Sequence, residues 1–106
     1  MTYLPLLDNI GKSVIIEYED GSKQYYTVVD EIPLRKPETP NRALCFQQLQ
    51  STRDKRVQYR FCHYFADKSE WVFAQLALYV PDRDFQALIY EASRRGWIDL
   101  SAGGAS

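Results

Sequence analysis

The chain has 106 residues, the span of a single domain built on one core. Thirteen basic residues stand against fourteen acidic ones, so no global charge draws it toward nucleic acid, and no long run of one sign marks an interaction tail. An aromatic share of 14% supplies large buried areas, which puts a compact core within reach of so short a chain.

Two cysteines and the lack of an export signal point to a reducing, cytoplasmic setting. The opening segment Met1–Asp8 has no basic stretch and is interrupted by Pro5 and Asp8, so it does not read as a signal peptide. No stretch approaches the roughly 18 apolar residues of a membrane helix. The end, Ser101–Ser106, has nothing to pack and reads as a disordered tail after a globular domain over residues 1–100.

Ser13–Glu19 and Ser22–Asp30 are β-rich runs flanking Asp20-Gly21, a strong hairpin signal whose two residues suit a type I′ turn. Val14, Ile16 and Tyr18 share one face and are the better core candidates. Glu31–Asn41 contains Pro33, Pro37 and Pro40, which excludes helix interior and central strand, so it reads as an exposed connector carrying Arg35 and Lys36. Arg42–Gln50 lacks a helical stripe and is assigned as a strand. Val57–Phe65 alternates cleanly, and after the turn Ala66–Glu70 the strand Trp71–Val80 is largely apolar on both faces.

The helix is the best-punctuated element. Pro81 or Asp82 starts it, and Asp82 and Asp84 suit the positive end of its dipole. Phe85, Leu88, Ile89 and Ala92 form an apolar stripe. Arg94 and Arg95 fall in the last turn, Gly96 can take the left-handed position that stops the helix, and Trp97 can fold back on it.

Five strands and one C-terminal helix, joined by short links, predict an α+β fold. The sheet is an antiparallel meander, either a small SH3-like barrel or a strongly curved sheet. The stretch from Gly11-Lys12 through the Asp20-Gly21 turn to Asp30 resembles the first hairpin of SH3-like and Sm-like small barrels. That resemblance is to a strand–turn–strand pattern and carries no family residues with it.

Hydrophobic matching limits the expected registers, and for the third hairpin two turns satisfy it, the first being preferred. A third hairpin centred on Arg53-Asp54 places Phe46 opposite Phe61, Leu44 opposite His63 and Cys45 opposite Cys62. A turn centred on Asp54-Lys55 would instead set Cys45 against Tyr64. In the next hairpin Phe65 faces Val72, His63 faces Ala74, Phe61 faces Leu76, Tyr64 faces Phe73 and Arg60 faces Ala77. One face then gathers Phe61, Phe65, Val72, Leu76 and Leu78, to be covered by the helix stripe or by the far wall of a barrel. The other carries Arg60, Tyr64, Trp71, Phe73, Gln75 and Tyr79, the composition of an interface core. A partner, the N-terminal residues Tyr3, Leu4, Leu6 and Leu7, or both together are expected to cover that face.

Enzymatic chemistry finds little support. His63, the only histidine, lies on an apolar face and reads as a core residue. Cys62 points away from it, so the two cannot form a nucleophile pair. The thiols are expected to be free and close together. No phosphate-cradling glycine motif and no zinc set occurs. The leading expectation is a small non-enzymatic interaction module without cofactor, forming a homodimer or binding a protein partner through the aromatic face. The alternative is a nucleic-acid binder using Arg53, Lys55, Arg56 and Arg60. Third comes a ligand-binding or enzymatic pocket between sheet and helix.

Overall fold

The computed structural model describes residue 5, residues 8–77 and residues 79–98. The strands are β1 (Ser13–Glu17), β2 (Lys23–Leu34), β3 (Arg42–Ser51), β4 (Val57–Asp67) and β5 (Glu70–Leu76), followed by α1 (Asp82–Arg94). They form one antiparallel sheet in chain order, β1 to β5. The sheet curls into a half-barrel whose edge strands β1 and β5 are not hydrogen-bonded to each other. The expected α+β meander with a C-terminal helix is therefore the observed one, in its curved rather than closed form.

The register of β3 and β4 is the one expected from a turn centred on Arg53-Asp54, with Phe46 opposite Phe61, Leu44 opposite His63 and Cys45 opposite Cys62. Lys55 closes the loop in the left-handed region at φ 65°. The first hairpin differs from expectation. Glu17 pairs with Lys23, Gly21 alone takes a positive φ of 85°, and its N–H donates to the Tyr18 carbonyl at 2.9 Å. The loop is thus a tight turn closed by glycine, not a type I′ pair on Asp20-Gly21. Asp20 accepts from the Ser22 amide and hydroxyl, which fixes the turn and lowers the Asp20 pKa.

β2 runs on through Glu31, Ile32 and Pro33 to Leu34, a stretch the prolines had assigned to a loop. Pro33 pairs with Cys45 on β3. The β1 ladder ends at the Ser13–Thr27 pair, so on the opposite side this part of β2 is an edge, where a missing N–H costs nothing.

Two bulges decide which way key side chains point. At Val29 the β2–β3 register shifts, sending Asp30 to the helix side and Glu31 to the other. At Ala74 the β4–β5 register shifts. His63 therefore faces Gln75 rather than Ala74, and Cys62 faces Leu76. Ala77, not Leu76, lies against Phe61, its N–H donating to the Phe61 carbonyl at 2.9 Å. The strand stops at Leu76 instead of Val80. The expected position of Leu78 lies outside the described residues.

The core lies on both sides of the sheet. On the convex side α1 packs Leu88 and Ala92 onto Ile32, Leu44 and Phe46, with Phe61, Ala77, Val80 and Trp97 around them. Phe61 stacks on Phe46 at 4.2 Å between ring centroids. Phe85, at the margin of the stripe, keeps 43% of its surface exposed. The helix ends as its sequence dictates: Gly96 has φ 83°, its N–H donates to Ser93, and the Trp97 N–H donates to Ala92. Asp30 clamps this end to the sheet, accepting from Arg95 and from the Trp97 indole at 3.0 and 2.9 Å. At the other end Lys36 pairs with Asp84 at 2.9 Å, tying the proline-rich loop to the first helical turn.

On the concave side Tyr26, Val28 and Leu49 are buried with Val14 and Ile16 packed against them. Ala43, Cys45, Cys62 and Tyr64 form a second group under Trp71. The central strand β3 is therefore buried on both faces, which accounts for the unbroken apolar run Ala43–Phe46 in its first half.

Candidate functional site

The concave side carries the most organised polar chemistry in the molecule. At its floor Gln47 is fully buried between Glu31 and Arg60 on the neighbouring strands, and a buried amide is stable only if its hydrogen bonds are met. Its amide nitrogen donates to Glu31 Oε1 at 2.6 Å and to the Tyr64 hydroxyl at 3.1 Å. Its carbonyl oxygen accepts from Arg60 Nε at 2.7 Å. Glu31, also buried, accepts from the Asn9 amide at 3.0 Å through Oε2 and from the Asn9 side chain at 2.8 Å through Oε1. Gly11 bonds the Val28 carbonyl and Val28 bonds the Lys12 carbonyl, so the turn containing Asn9 is stitched to β2 beside the bulge. The network thus links the N-terminal turn, β2, β3 and β4 through one carboxylate and one guanidinium.

Above this floor the Arg60 guanidinium lies over the Phe73 ring, 5.1 Å from its centroid. Phe73 meets Tyr64 edge-on at 5.6 Å. The Trp71 indole donates to the Pro5 carbonyl at 2.9 Å, so the chain's own N-terminal segment touches one end of the face. Phe73 nevertheless remains 43% exposed. Val14, Val28, Arg60, Tyr64 and Phe73 line one open hollow between the two edge strands, with Lys12 at its rim.

Of the residues assigned to an aromatic face, Arg60, Tyr64, Trp71 and Phe73 share the concave side. Gln75 does not, because the Ala74 bulge turns it to the helix side opposite His63. Tyr79 lies beyond the end of β5 and is 89% exposed. The N-terminal residues Tyr3, Leu4, Leu6 and Leu7, expected to cover this face alone or together with a partner, lie outside the described residues.

The basic cluster does not assemble as one surface. Arg53, Lys55 and Arg56 sit at the β3–β4 loop, with Arg56 3.5 Å from Asp54. Arg60 is held on the hollow by Gln47. His63 faces the helix side and lines a cleft with Arg42 and Gln75. Burial pushes the Cys62 thiol up to about 11 and the Cys45 thiol higher still, so neither is a thiolate at neutral pH. Both are free thiols on paired strands. Among the described residues no group of His, Cys, Asp and Glu could hold a metal ion, and no helix is long and apolar enough to cross a membrane.

Sequence reasoning missed Glu31 and Asn9, placing the first in a loop and passing over the second. One signal was present: Gln47 shares a strand face with Ala43, Cys45 and Leu49, and an amide in such a row requires buried partners. Compared with known protein families, curated proteins and solved structures, the chain matches none.

Proposed function

We propose that this protein is a small, non-enzymatic interaction module that uses the hollow of its half-barrel to bind a protein surface, either a second copy or another chain. The observation that carries this reading is the exposure of Phe73 at 43% in a setting that is otherwise fixed. Its neighbour Tyr64 is buried, Arg60 is pinned, and the floor beneath is a closed hydrogen-bond network. Aromatic and arginine side chains on a rigid floor, flanked by aliphatic walls, match the composition of binding hot spots. The raised thiols and a hollow lined by no histidine or carboxylate among the described residues favour binding over catalysis. Free thiols fit a reducing compartment such as the cytoplasm.

Phe73→Glu tests the reading. A charge at the centre of a desolvated contact is costly, so association measured by sedimentation should be lost while circular dichroism stays native. Unfolding of a protein that was already monomeric would assign Phe73 to the intramolecular core and remove the basis of the proposal.

A further inference from the structure

The chemistry of the hollow narrows the choice of occupant. Glu31, joined to Arg60 through Gln47, already accepts three hydrogen bonds from Asn9 and Gln47. Among the described residues no carboxylate pairs with Arg60. Its guanidinium is nonetheless held in place. The Gln47 amide nitrogen faces Glu31 and Tyr64, which leaves only its carbonyl oxygen to receive Arg60 Nε, and the Phe73 ring lies beneath the planar group. Lys12 stands at the rim of the same hollow, whose described lining contains no acidic residue. A chain with net charge −1 thus presents two cations in a pocket walled by Val14, Val28 and Phe73.

We propose, on the basis that the hollow is the binding surface, that its occupant is a segment of another protein bearing a carboxylate beside an apolar side chain. The carboxylate is received by the fork of Arg60, the apolar group by Phe73 and the aliphatic wall. Arginine suits this task because its terminal nitrogens match the two carboxylate oxygens, and stacking on an aromatic ring spends none of its donors. A single fixed guanidinium between apolar walls favours such a segment over a nucleic-acid backbone, which needs a run of cations along its phosphates.

The test uses the whole chain, labelled for nuclear magnetic resonance, and a pair of probes: N-acetylphenylalanine as its carboxylate, and the corresponding primary amide. The carboxylate should shift the Arg60 Nε–Hε resonance and the backbone amides of Lys12 and Phe73 saturably, and bind about tenfold or more tightly than the amide. Arg60→Gln should abolish that preference. Because the probe comparison is made on the unaltered protein, it decides the matter even if the variant fails to fold. Equal responses to the two probes would overturn the carboxylate assignment while leaving the hollow as a binding surface. A stronger response to an oligothymidylate, or a hollow already closed by a second copy in sedimentation, would overturn it too. Loss of all probe response in Phe73→Glu, with the carboxylate preference intact in the unaltered protein, is the supporting result.

Discussion

Leu88 and Phe85 lie on the same helical stripe, yet their environments differ enough for the fold to be tested by comparing them. Leu88 is 1% exposed and sits against Ile32, Leu44 and Phe46. Truncation to alanine removes three carbons, worth about 0.8 kcal/mol each by transfer. The sheet beneath is held by its ladder and cannot follow the shrinking side chain, so a cavity term adds to this and brings the loss to about 3–4 kcal/mol. Phe85 touches Phe61 at 6.1 Å between centroids and faces water on its other side, so Phe85→Ala should cost only about 1 kcal/mol. Urea denaturation followed by tryptophan fluorescence measures both, since Trp97 packs on Phe46 at the edge of the same core. Unchanged m-values would show that the comparison is one of stability alone. A loss under about 0.5 kcal/mol for Leu88→Ala, or a larger loss for Phe85→Ala, would refute the packing described for α1.

Three further expectations concern the network, the thiols and the helix end. Gln47→Leu leaves the buried Glu31 short of a donor and the half-buried Arg60 Nε without its acceptor, and should cost about 2–4 kcal/mol in the same denaturation assay; a neutral outcome would mean the network contributes nothing. Cys45 and Cys62 should ignore a disulfide-exchange reagent at neutral pH while the protein is folded and react fully once it is unfolded, and rapid labelling of the native protein would contradict their burial. Glu91 is held down to about 2 by hydrogen bonds from Arg94 and Arg95. A depressed carboxyl stabilises the fold above its unfolded value near 4.5 and loses that contribution as pH falls toward the folded value. The thermal midpoint of the native sequence should therefore drop more steeply than that of Glu91→Gln across this window.

How legible each feature was follows from the range of the interactions that set it. The helix was readable because Pro81, Asp82, Asp84 and Gly96 each lie within a turn of the helix end they mark. The β3–β4 register was readable only to a choice of two, because turns centred on Arg53-Asp54 and on Asp54-Lys55 both bring apolar faces together; the strands adopt the first, with Cys45 opposite Cys62. The Ala74 bulge was not, since Trp71–Leu76 is rich in apolar residues on both faces and a one-residue slip exposes no obvious polar group. Pro33 misled for a different reason: whether a proline is tolerated in a strand depends on where the neighbouring strand ends, and β1 ends at a distance in sequence. Of the hollow, the aromatic and arginine members were visible as an alternating face. Its polar floor was not, because Asn9 and Glu31 are twenty-two residues apart and neither position advertises the other.

The bulge at Ala74 also bears on how the edge of the sheet is protected. An open half-barrel has two bare margins, and a margin of regularly spaced N–H and C=O groups invites another strand to extend the sheet without limit. Here one margin is the short β1, bounded by Lys12 and Glu17, and the other is β5, broken at Ala74. An incoming strand that matched β5 on one side of the break would fall out of step on the other. The irregularity that turns Gln75 away from the hollow therefore also makes the edge a poor template for a further strand.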